Sequence, residues 1–186
     1  MNYFYLSICL FFSFLILGHF TSQAKPIALS EPEVLLTGWN ARCLTNTDLN
    51  GDGLTDLIYF NLDRSYIEIL YRTKEGSSPK NVRPIRQNRW EPILEDSKYK
   101  RERIFVTDSI TDLTTGDLNS DDIPDIITAS PDDGVKVYFR ENKINWSDAV
   151  EIESDKIRPY SQSLQVIDEH DRSELYMFTE SGLEHI

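Results

Sequence analysis

Short oxygen-bearing side chains recur on alternate residues in the stretch Asp48-Leu-Asn50-Gly-Asp52-Gly53-Leu54-Thr-Asp56. That spacing suits a hard cation, because calcium takes six to eight oxygens at about 2.3–2.6 Å and a curled loop points every second residue inward. With Asp48 as the first position, Asn50 and Asp52 are the third and fifth, Leu54 offers a main-chain carbonyl at the seventh, and Asp56 fills the ninth. Gly53 supplies the positive φ that so sharp a turn demands. Carboxylates held this close are expected to repel one another and to raise one another's pKa.

A near-copy, Asp117-Leu-Asn119-Ser-Asp121-Asp122-Ile123-Pro-Asp125, begins 69 residues later, at 117 against 48. Its ligand set would be Asp117, Asn119, Asp121, the Ile123 carbonyl and Asp125. Asp122 stands where the first loop has glycine, a replacement costing on the order of 1 kcal/mol, so weaker binding is expected here. In a third, worn copy Glu174 lies only six residues after Asp168, and Asp168, Asp171 and Glu174 are not expected to close round an ion. An EF-hand needs a bidentate acid at position 12, a place taken by Tyr59 and Thr128, so that reading fails.

The elements that position these loops read as strands. Leu57-Ile-Tyr-Phe60 and Tyr66-Ile-Glu-Ile-Leu-Tyr71 follow the first loop, separated by the turn Asn61–Arg64. Asp125-Ile-Ile-Thr128 and Val135-Lys-Val-Tyr-Phe139 follow the second, separated by Pro131–Gly134. All are β-branched or aromatic and too short for helices. Further strands are expected at Val34–Trp39, Trp90–Leu94, Ile110–Thr115, Trp146–Ile152, Leu164–Ile167 and Leu175–Phe178, with one starting at Leu183. Glu95 to Arg103 is charged enough to read as mobile. The repeat is strand, acidic loop, strand, tight turn, strand, outer strand, and four-stranded units at such periods suggest propeller blades. The expected fold is all-β: blades of four antiparallel strands over about 40–104 and 105–155, with a partial blade over 156–186.

Asp48 to Leu57 and Gly116 to Ile126, each followed by apolar strands, and Gly134-Val-Lys-Val-Tyr138 in the second copy, resemble the FG-GAP and VCBS-type repeats of integrin-like β-propellers. The resemblance covers about residues 41 to 186. It implies loops that join a blade's innermost strand to the next and hold calcium on one face of the propeller, with the ten residues above as ligands. The chain departs from it in lacking the Phe-Gly and Gly-Ala-Pro signatures, in Asp122, and in having too few blades to close. Open sheet edges therefore invite self-association.

Tyr3 to Phe20 is almost wholly apolar and Ser22-Gln-Ala24 offers small residues for a signal peptidase, so residues 1–24 read as a signal peptide and 25–186 as the exported repeat region. A membrane enters only if that segment is retained. Cleavage leaves Cys43 as the one cysteine and excludes an internal disulfide. The net charge of −12 argues against nucleic acid, although residues 72–103 carry ten Lys or Arg against five Asp or Glu. That basic run reads as a solvated face. His170 and His185 have no cysteine or helical partner to suggest zinc, and no Ser/His/Asp constellation stands out. Trp39, Trp90 and Trp146 read as packing residues, and Asn145-Trp-Ser147 is a formal glycosylation sequon. The expectation is a secreted, periplasmic or cell-surface scaffold for a protein or glycan ligand, with structural calcium and no catalysis. The alternative is an accessory or catalytic part of a polysaccharide-acting enzyme.

Overall fold

The computed structural model describes residues 35, 37–74, 98–141, 145–160, 162–169 and 172–186. The expected signal peptide and the expected strand at Trp90–Leu94 lie outside these residues, as does most of the basic run. Every regular element among the described residues is a β-strand, and all pairings are antiparallel.

The first sheet is a meander of β1 (Ala41–Thr47), β2 (Asp56–Asn61), β3 (Tyr66–Arg72) and β4 (Tyr99–Phe105), in that spatial order. The second runs β5 (Asp112–Gly116), β6 (Asp125–Ser130) and β7 (Gly134–Tyr138). A two-stranded hairpin, β8 (Arg140–Glu141) with β9 (Asn145–Trp146), then intervenes before β10 (Val150–Ile152) joins the second sheet beside β7. The third sheet has three strands, β11 (Leu164–Glu169), β12 (Arg172–Phe178) and β13 (Leu183–His185). None of the sheets closes on itself.

Side chains alternate across a strand, so a strand buried at every residue must lie between two cores. β6 does: Ile126 packs into a cluster with Ile58, Phe60, Ile67 and Ile69 of the first sheet, while its neighbour Ile127 packs with Leu164, Leu175 and Met177 of the third. β7 divides in the same way, Tyr138 joining the first cluster and Val135 and Val137 the second. The second sheet is thus the middle layer. Its first strand, β5, lies beside both β1 and β11. The second and third sheets approach closely at Gly116, where a Cβ would sit 2.4 Å from Val166 Cγ1.

Three expectations are corrected. The charged stretch ending at Arg103 is not a loose segment from Tyr99 onward but β4, fully paired with β3 from Tyr66↔Phe105 to Arg72↔Tyr99. Burial of Glu68 opposite Arg101 and Arg103 holds this charged strand in place. The single strand expected over Trp146–Ile152 is divided into β9 and β10. Between them the Ser147 hydroxyl accepts from Phe139 N at 3.0 Å and donates to the Asp148 carbonyl at 2.8 Å, a local bonding scheme that competes with a ladder. Of the strand expected at Val34–Trp39, the described residues form no ladder, and Trp39–Asn40 form a turn.

Candidate metal centre

Each acidic loop joins the first strand of a sheet, an edge strand, to the next, β1 to β2 and β5 to β6. The two have one backbone design. Positions four and six both take positive φ, Gly51 at 71° and Gly53 at 82° in the first loop, Ser120 at 59° and Asp122 at 62° in the second. Asp122 therefore adopts the conformation expected of it. Ser120 carries a strain that side-chain spacing did not reveal.

Asx-type hydrogen bonds hold this shape. Asp48 accepts from Gly51 N at 2.8 Å and Asp52 N at 3.2 Å on one oxygen and from Gly53 N at 2.7 Å on the other. Asp117 accepts likewise from Asp121 N at 3.1 Å and Asp122 N at 2.7 Å. The third-position amides follow suit, Asn50 accepting from Asp52 N at 2.9 Å and Asn119 from Asp121 N at 3.1 Å. Leu54 and Ile123 enter through their N–H groups, which donate to Asp52 at 2.8 Å and to Asp121 at 2.9 Å.

The ninth-position acids differ from the rest in being wholly buried. Asp56 ties the head of its loop to the end of β3, accepting from Leu49 N at 3.0 Å and Arg72 N at 2.8 Å. Asp125 repeats the arrangement with Leu118 N at 3.1 Å and Arg140 N at 3.2 Å. Burial raises the pKa of Asp56, and the nearby Asp52 and Asp48 add smaller upward contributions. Asp125 is pushed up to about 6, again chiefly by burial, with Asp121 and Asp117 contributing less. At these two acids repulsion from the neighbouring carboxylates acts in the expected direction but is secondary to desolvation.

The donor set of Asp48, Asn50, Asp52 and Asp56, and of Asp117, Asn119, Asp121 and Asp125, is all oxygen and fits calcium in kind. Each loop gathers its members, yet among the described residues no three side chains of His, Cys, Asp or Glu group as a ready metal shell. The carboxylates face the loop's own N–H groups. A carboxylate oxygen has two lone pairs, so one that accepts an N–H keeps the capacity to face a cation. In the third copy β11 and β12 pair along one ladder, with Glu169 opposite Arg172 and Glu174 opposite Ile167. Asp171 lies outside the described residues.

Several residues that sequence reasoning passed over hold the loops' surroundings. Glu68, buried in β3, accepts from Tyr59 Oη at 2.7 Å and pairs with Arg101 and Arg103. A lone acid inside an otherwise apolar strand was the available signal. Asp112 links β5 to β11 by accepting from Leu164 N at 2.8 Å and Ser163 Oγ at 3.4 Å. Arg140 lies 5.1 Å from the Tyr71 ring and 5.0 Å from that of Trp146, and its Nη1 donates to Tyr71 Oη at 2.6 Å.

The other flagged side chains are scattered. His185 stacks on Tyr176 at 5.4 Å, whereas His170 is outside the described residues. Trp39 is 94% exposed and Trp146 packs against the first cluster. Cys43, half-buried at a register shift in β1, donates to the Thr111 carbonyl at 3.3 Å, and burial pushes its thiol up to about 11. No family model, no curated protein and no solved structure matches this chain.

Proposed function

We propose that this chain is an exported, calcium-stabilised β-propeller repeat module of the FG-GAP and VCBS type, acting as a binding scaffold for a protein or glycan and not as an enzyme. The three sheets are its blades, with β1, β5 and β11 as innermost strands. The observation that carries the reading is the duplicated loop. Two stretches 69 residues apart in sequence share backbone conformation, Asx bonding and a buried ninth-position acid, each at the same place in its sheet. A shared cation requirement accounts for all three together.

Calcium's part is structural: Asp48, Asn50, Asp52 and Asp56, with the Leu54 carbonyl, would hold one ion, and Asp117, Asn119, Asp121 and Asp125, with the Ile123 carbonyl, a second. The ion supplies positive charge where each loop concentrates carboxylates. The chain's own residues fix the loop against the sheet through the ninth-position acid. A ligand that binds only the folded state stabilises it by RT ln(1 + [L]/Kd), about 2.7 kcal/mol at a hundredfold excess over Kd. Millimolar calcium is therefore expected to raise the melting temperature by several degrees over EGTA, with magnesium giving less. Superimposed melting curves in calcium and EGTA would overturn the proposal.

A further inference from the structure

We draw no further inference here: the strongest candidate, the free face of the third sheet where Ile167, Phe178 and Leu183 stand exposed, carries nothing because nothing in the structure shows what covers it.

Discussion

At the scale of single residues, the acids of each loop fall into two physical classes. Asp121 is exposed and binds only its own loop, whereas Asp125 is buried and spans from Leu118 to Arg140. Removing a buried acceptor strands its donors, at about 1–3 kcal/mol for each group left unsatisfied. Asp125→Ala is thus expected to lower stability by about 2–4 kcal/mol in urea unfolding, with or without calcium. Asp121→Ala should cost under about 1 kcal/mol in EGTA yet diminish the stabilisation that calcium gives. Equal losses for the two variants in EGTA would contradict the division.

Cys43 makes a separate residue-scale case. Burial pushes its thiol up to about 11, above the ordinary 9.0, so the folded chain favours the neutral form. The stability this contributes is complete below pH 9.0 and is lost as pH rises through about 11. At pH 8 the folded protein should hold roughly a hundredfold less thiolate than the unfolded chain, and iodoacetamide should react correspondingly more slowly. Equal alkylation rates in buffer and in urea would rule this out.

At the scale of elements, what was legible depended on what a strand's side chains contact. β2, β3 and β6 announce themselves because they are buried along almost their whole length, β6 between two cores, and β7 by its alternation of apolar and polar residues. β4 did not, since its sequence Tyr-Lys-Arg-Glu-Arg-Ile-Phe reads as solvated until Glu68 is known to be buried opposite it. The acidic loops were legible in their spacing, but the use of their oxygens was not: which N–H each carboxylate meets depends on the φ values at positions four and six. Replacing both Arg101 and Arg103 by Ala leaves Glu68 buried without its counter-ions and should destabilise by about 3–5 kcal/mol. Adding Glu68→Leu to that double variant should recover part of the loss, since it removes the unpaired charge but strands the buried Tyr59 hydroxyl. A triple variant no more stable than the double would show that β4 is held by something other than this charge cluster.

At the scale of the whole molecule, the three sheets are joined by different means on the two sides of the middle one. Between the first and second lies the larger aromatic and aliphatic cluster, including Phe60, Tyr71 and Tyr138, with the Arg140 side chain over Tyr71. The second and third meet over smaller side chains and through the Asp112 link and the close approach at Gly116. The tolerances at Gly116 follow from distance: an added Cβ would lie 2.4 Å from Val166 Cγ1 and 2.9 Å from its Cβ, too near for either atom to stay in place. Gly116→Ala is therefore expected to cost about 1–3 kcal/mol, the usual range for overpacking. The strain should be concentrated in the third sheet, because β11 is the element that must give way. Hydrogen exchange ought then to quicken across β11 to β13 while β2 and β3 stay protected, the signature of sub-global opening. Val166→Ala removes both Cγ methyls, so in the Gly116→Ala background it should restore part of that protection, whereas alone it should weaken the second cluster. The sign of this coupling is what locates the contact: additive losses from the two substitutions would mean that Gly116 and Val166 do not meet, and that the third sheet is held against the second through Asp112 and the apolar cluster alone.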